Sequence, residues 1–110
     1  MGADAFITFY GIEYSVPAGS DVSSLEKRTD ERIVRARRAK LDTWWGCVSD
    51  GRDFHLLIGK KIADLGLEGQ EQVSVTNQAF TSIQEEVKQK LSEAGFSQEP
   101  RLLFKLEAQY

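Results

Sequence analysis

The sequence has very few of the residues that build disulfides and metal sites, with one cysteine, one histidine and two prolines among 110 residues. Cys47 has no second cysteine to pair with, and one cysteine with one histidine is too few for a Cys/His metal cluster. No apolar run approaches the roughly 20 residues of a membrane-spanning helix, and no basic start followed by an apolar stretch indicates a signal peptide. We therefore expect a cytoplasmic protein with no metal, cofactor or membrane partner.

The composition is that of a folded globular domain. Hydrophobic residues make up 41% and charged residues 28% of the sequence, which is typical of a globular protein and unlike a disordered one. A length of 110 residues suits a single domain over residues 1–110.

The positive charge is concentrated in one segment of an otherwise acidic chain. Residues 27–40 carry seven of the fourteen Lys and Arg residues, whereas the net charge of the whole chain is −3. Arginines at this density can bind phosphates through their planar guanidinium groups. One interpretation is a nucleic-acid or phosphate-ligand site that uses Arg28, Arg32, Arg35 and Arg38. The other, which we favour, is a solvated helix face whose arginine stems cover the edge of the core.

A strand and then a helix are predicted in the first part of the chain. Residues 4–14 are rich in Phe, Ile, Thr and Tyr, which predicts a strand with two partly apolar faces. A helix with a thin apolar stripe is expected within residues 21–40. It can break near Thr29, where Thr29 or Asp30 would cap a shorter helix.

A β-hairpin is predicted in the middle of the chain. Strands over residues 44–49 and 53–59 flank Asp50-Gly51, a strong signal for a tight turn because both residues tolerate positive φ. Residues 60–72 fit either a short extra strand or a covering loop.

The second helix has the clearest pattern. Thr76 fits its N-cap and Gly95 the left-handed position after its end. Its apolar residues follow helical spacing and are Phe80, Ile83, Val87, Leu91 and Ala94. Alternating apolar and polar residues over 102–109 then predict a last strand.

The resulting element order is strand, helix, strand, strand, helix, strand. This order predicts an α+β fold of the ferredoxin-like split βαβ type, with an antiparallel sheet and two helices on one face. The other face of the sheet is expected to be open.

Four aromatic or imidazole side chains are candidates for a binding surface on that open face. Trp44 and Trp45 are adjacent on a strand, so that they must point to opposite faces and one of them should leave the core. Tyr10 and His55 complete the candidate set.

A nucleophilic Cys47–His55 pair is the catalytic alternative, because the two residues lie on paired strands. No third group that would orient the pair is identifiable, and no helix N-terminus clearly activates Cys47. These residues therefore favour binding over catalysis.

The sequence as a whole predicts a small, non-catalytic binding domain. Because helices on one side leave the other side of the sheet uncovered, self-association as a homodimer through the sheet face is the expected mode. Binding of nucleic acid or a phosphate ligand through residues 27–40, and a small enzyme that uses Cys47 or His55, remain the alternatives.

Overall fold

The computed structural model describes residues 5–17, 23–47, 54–66 and 72–107. The α+β class is confirmed by a four-stranded sheet with helices packed against it. In chain order, the elements are β1 (Ala5–Val16), α1 (Ser23–Glu26), α2 (Glu31–Arg38), β2 (Asp42–Cys47), β3 (Phe54–Gly66), α3 (Asn77–Glu93) and β4 (Arg101–Glu107).

The four strands form one sheet in the order β2-β3-β1-β4, and every neighbouring pair is antiparallel. Each helical connection skips one strand. The chain passes from β1 to β2 with β3 between them, and from β3 to β4 with β1 between them. The long strands β1 and β3 therefore form the centre of the sheet, and β2 and β4 form its edges.

The helices pack on one side of the sheet, which we call the helix side. Their buried apolar residues belong to one cluster with residues of β1 and β3. The helices contribute Leu25, Ile33, Ala36, Val87 and Leu91, and the two central strands contribute Tyr10, Ile12, Leu56 and Ile58.

A second, smaller core lies on the opposite side of the sheet, which we call the concave side. Ile7, Phe9, Leu57 and Leu103 form it, and the partly buried Trp44 packs against it. Phe9 and Leu57 are completely buried, although the helices described here all contribute to the cluster on the helix side.

The sheet is curved toward the side that carries this second core. Lys105 is paired with Ile7, and Glu13 lies six residues farther along β1. At about 3.3 Å per residue, a straight strand would separate these positions by roughly 20 Å. The ammonium group of Lys105 nevertheless contacts the carboxylate of Glu13. The sheet must therefore curve toward the second core, and the face expected to be open carries a buried apolar cluster of its own.

Two glycines and a bulge permit this curvature. Gly11 and Gly59 oppose each other in the β1–β3 pair, and the register shifts between Thr8 and Phe9. A Cβ atom on Gly11 would overlap the carbonyl oxygen of Ile58, and one on Gly59 would overlap the carbonyl oxygen of Tyr10. Glycines and bulges are the usual means by which strands bend sharply.

The helix predicted within residues 21–40 is divided into two helices, α1 and α2. The break near Thr29 is confirmed, and the side chain of Asp30 caps α2 by accepting from the backbone N–H of Arg32 at 2.9 Å. The turns after α1 and α2 place Arg28 (φ 57°) and Lys40 (φ 61°) in the left-handed region. Glycine normally occupies this position because it carries no steric penalty there.

Both predicted ends of α3 are confirmed. The Thr76 hydroxyl accepts from the backbone N–H of Ala79 at 3.1 Å. Gly95 has a φ of 86°, and the N–H of Phe96 donates to the Leu91 carbonyl at 3.0 Å. These contacts form a Schellman ending.

The strand β3 is longer than the predicted strand over residues 53–59. It continues to Gly66, which pairs with Ala5 at the far end of β1. Much of the stretch 60–72 thus extends an existing strand, because β1 supplies hydrogen-bonding partners along its whole length. The predicted Asp50-Gly51 turn lies outside the described residues.

Replacing Gly11 with Ala should lower the free energy of unfolding by about 2 to 4 kcal/mol, because the added methyl group meets backbone that cannot yield without disturbing the sheet. Gly95→Ala is the matched comparison, since an added Cβ there would meet only the guanidinium end of Arg35 at 3.4 Å and the main strain is its positive φ. It should cost about 1 kcal/mol. Urea unfolding measures both values, and equal losses would contradict a tight approach of the strands at Gly11.

Candidate functional site

Two of the four candidate arginines are engaged within the protein. Arg32 forms a two-pronged ion pair with Asp30, with Nε–Oδ1 and Nη2–Oδ2 distances of 2.9 Å. Its guanidinium group lies 4.9 Å from the ring centre of Tyr14. Arg35 lies 4.4 Å from the ring centre of Phe96. Both side chains thus fix α2 against neighbouring elements.

The other two candidates, Arg28 and Arg38, line two different clefts, and Arg37, which was not a candidate, shares the first of them. Arg28 and Arg37 border an open cleft of about 490 Å³ together with Asp42, Lys61 and Asp64. Arg38 borders another cleft that also contains Glu93. Since the arginines are divided between two clefts and each cleft includes at least one carboxylate, the arrangement is poorly suited to a polyphosphate chain.

Tyr10 lies on the helix side, not on the opposite face where it was expected. It is buried in the main core, and its ring meets that of Phe80 edge to face at a centroid distance of 5.7 Å. The prediction that Tyr10 belongs to an exposed binding surface is therefore corrected.

The two tryptophans face opposite sides of the sheet, as predicted. Trp45 packs against the main core and Trp44 against the core of the concave side. Both are partly buried. The Trp44 ring lies over Gly46, where an added Cβ would come within 3.1 Å of it. Neither tryptophan is fully exposed.

His55 belongs to a charged cluster that sequence reasoning did not identify. Its Nδ1 lies 3.2 Å from Oε2 of Glu13, and Nζ of Lys105 contacts the same oxygen. Each of the three side chains is more than four-fifths buried. We call Glu13, His55 and Lys105 the Glu13 cluster. It joins β1, β3 and β4, and no local sequence pattern indicates it because the curved sheet brings its members together.

The proposed Cys47–His55 pair is not a directly opposed pair. His55 is aligned with Gly46, whereas Cys47 is aligned with Phe54. The group that approaches His55 is the carboxylate of Glu13.

The large hydrophobic residues that are exposed among the described residues lie on the helix side at or near β4. Phe104 is 65%, Phe6 51%, Leu102 41% and Val75 39% exposed. We call these four residues the β4 strip. A groove of about 350 Å³ adjoins it, and its other lining residues include Phe80 and Leu65. Sequence reasoning missed this site because both helices were expected to cover this face.

A metal centre is not supported within the described ranges, where no group of three or more His, Cys, Asp or Glu residues is placed to hold an ion. In the same ranges, every helix is too short or too polar to cross a membrane.

Comparison with protein-family models, curated proteins and solved structures gave no match to this chain. Function must therefore be inferred from the geometry of the described residues.

Replacing Glu13 with Gln should lower the free energy of unfolding by about 1 to 2 kcal/mol, because Lys105 would lose the anion beside its shielded ammonium group. Glu86→Gln is the control. It removes the carboxylate of an exposed ion pair to Lys90, 2.7 Å long, and should cost less than about 0.5 kcal/mol. Urea unfolding compares the two. Equal costs would contradict a structural role for the Glu13 cluster.

The Asp30–Arg32 pair should make stability depend on pH in the acid range. Hydrogen bonding from Arg32 lowers the pKa of Asp30 below its ordinary value. The ionised carboxylate therefore stabilises the fold above the unfolded-state pKa of about 3.9, and this contribution is lost as pH falls through the lower folded-state pKa.

Asp30→Asn tests this dependence, because asparagine keeps a capping oxygen but loses the charge. The variant should be less stable than the parent chain at neutral pH, and the difference should shrink below a pH of about 4. Urea unfolding at several pH values measures it. A difference that does not change with pH would show that the ion pair contributes nothing.

Proposed function

We propose that this chain is a small, non-catalytic binding domain that self-associates as a homodimer through the helix-side sheet face at β4. The observation that carries the proposal is the β4 strip, in which Leu102 and Phe104 of an edge strand remain exposed beside Phe6 and Val75.

Leaving this apolar surface in water is unfavourable. Burying apolar area gains about 25 cal/mol per Å², and a monomeric protein rarely exposes a large contiguous apolar patch without a use for it. Phe104 is a large side chain with most of its surface exposed. A partner that covers Phe104 and Leu102 together would gain the most from this patch.

The edge position of β4 strengthens the argument. An edge strand has a row of backbone N–H and C=O groups that can pair with another strand. On β4 this row lies directly beside the exposed side chains of Leu102 and Phe104, so that one partner could use both. A second copy of the chain meets this requirement, because a two-fold interface uses the same patch on both subunits.

The surface differs from the one that the sequence suggested. The concave side carries its own core and the Glu13 cluster, which leaves less apolar surface available for a partner. The exposed apolar surface lies instead on the helix side of the sheet, at β4, outside the area that α3 covers.

The two alternative functions have weaker support. Arg32 and Arg35 are held by Asp30, Tyr14 and Phe96, which leaves fewer cations for nucleic acid. His55 is directed at Glu13, and the strand register separates it from Cys47 by one position, which gives little support to a Cys–His nucleophile.

We also propose that the fold is the split βαβ, or ferredoxin-like, arrangement. The order β2-β3-β1-β4 supports this assignment, because each helical crossover skips one strand and all neighbouring strands are antiparallel. The division of the first helix into α1 and α2 is then a local variation within the first crossover.

Light scattering should give a mass of twice the 12.4 kDa of one chain in the upper micromolar range. Phe104→Glu should shift the protein to the monomer, because a carboxylate in the interface would lose its hydration.

Lys88→Gln is the matched control. It changes the net charge by the same amount on an exposed position of α3 and should leave the dimer intact. A monomeric parent chain at every concentration, or a dimer that persists in Phe104→Glu, would refute the proposal.

A further inference from the structure

We infer that two copies of the chain join β4 to β4 in antiparallel register, about a two-fold axis at Phe104, and form one continuous sheet of eight strands. This inference rests on the proposed self-association and specifies how the two copies meet.

The free edge of β4 is the first step. β4 pairs with β1 on one side and stands at the end of the strand order. Its second side therefore has no strand partner among the described residues. Two such edges related by a two-fold axis perpendicular to the sheet run antiparallel, which makes the contact the same for both copies.

The second step is the side-chain pattern. Residues opposite each other in an antiparallel pair lie on the same side of the sheet. Leu102 and Phe104 lie on the helix side, because their partners on β1 are Tyr10 and Thr8. The apolar residues of the two copies therefore meet only if even-numbered positions of one β4 lie opposite even-numbered positions of the other. In such a register the numbers of two opposed residues add up to an even value.

The third step uses charge to choose among the even registers. With the axis at Phe104, position 101 lies opposite position 107, and these positions are Arg and Glu. Positions 102 and 106, which are both Leu, are also opposed, and Phe104 meets its own copy. Opposite charges directly across strands stabilise a pair, and so do matched apolar and aromatic residues.

Neighbouring registers are less favourable. An axis at Leu103 would place Arg101 opposite Lys105, and an axis at Lys105 would place Lys105 opposite its own copy. Like charges directly across two strands are destabilising. Because the ammonium of Lys105 already contacts the carboxylate of Glu13, this repulsion is weakened, and the register about Phe104 is favoured over the other two chiefly because it places Arg101 opposite an acidic position.

Disulfide trapping tests this register in a Cys47→Ser background, which removes the native thiol. Phe104→Cys should form a cross-linked dimer under mild oxidation, because opposed Cα atoms lie about 4.5 to 5.5 Å apart. Leu102→Cys alone should not, since its own copy would be about four positions away, or roughly 13 Å. A mixture of Leu102→Cys and Leu106→Cys chains should cross-link. Non-reducing electrophoresis gives the readout.

A charge exchange is the second arm. Arg101→Glu and Glu107→Arg should each weaken dimerisation by about tenfold, because each places like charges at both symmetric ends of the interface. The double variant, which exchanges the two charges, should restore the dissociation constant of the parent chain. Sedimentation equilibrium measures all four proteins.

The outcomes separate this inference from the proposed function. If the parent chain is dimeric, three results would overturn the register and leave self-association standing. They are cross-linking of Leu102→Cys as efficient as that of Phe104→Cys, no cross-linking of any variant, and a charge exchange that fails to restore affinity. A parent chain that is monomeric throughout the micromolar range overturns both, and removes a second copy as the occupant of this edge.

Discussion

The close approach of β1 and β3 at Gly11 and Gly59 is the constraint on which the rest of the structure depends. The two backbones meet where neither residue has a side chain, and a Cβ atom at either site would overlap the carbonyl oxygen of the other strand. Together with the nearby bulge, this approach allows the two longest strands to bend. On the side toward which the sheet bends, Phe9 and Leu57 are completely buried.

The curvature divides the protein into two differently stabilised sides. On the helix side, α2 and α3 bury the middle of the sheet. On the concave side, the sheet encloses its own apolar cluster, and the Glu13 cluster links three strands beside it. The uncovered apolar surface therefore lies at the margin of the helix side, along the edge strand β4. The proposed partner surface is a result of how the sheet bends as well as of where the helices lie.

The sequence predicted best what depends on neighbouring residues. Both ends of α3 follow from single residues at defined positions, and the opposite directions of Trp44 and Trp45 follow from strand geometry. The full length of β3 was missed because glycines at 59 and 66 suggest interruptions, whereas the pairing with β1 keeps the strand continuous. Sheet curvature is not a local property. For this reason the contact of Glu13 with Lys105 and the exposed β4 strip could not be predicted.

The position of β1 in the sheet also has a consequence for the kinetics of folding. β1 lies between β3 and β4, both of which follow it by many residues, and Ala5 pairs with Glu107 at a separation of 102 residues. Such pairing must overcome the entropy of closing a long loop before its hydrogen bonds contribute, and a high contact order slows folding. α3 can begin to form from local contacts, but β1 must wait for the last strand of the chain before its second edge is paired. We therefore expect a chain that folds slowly for its size, with β4 docking late.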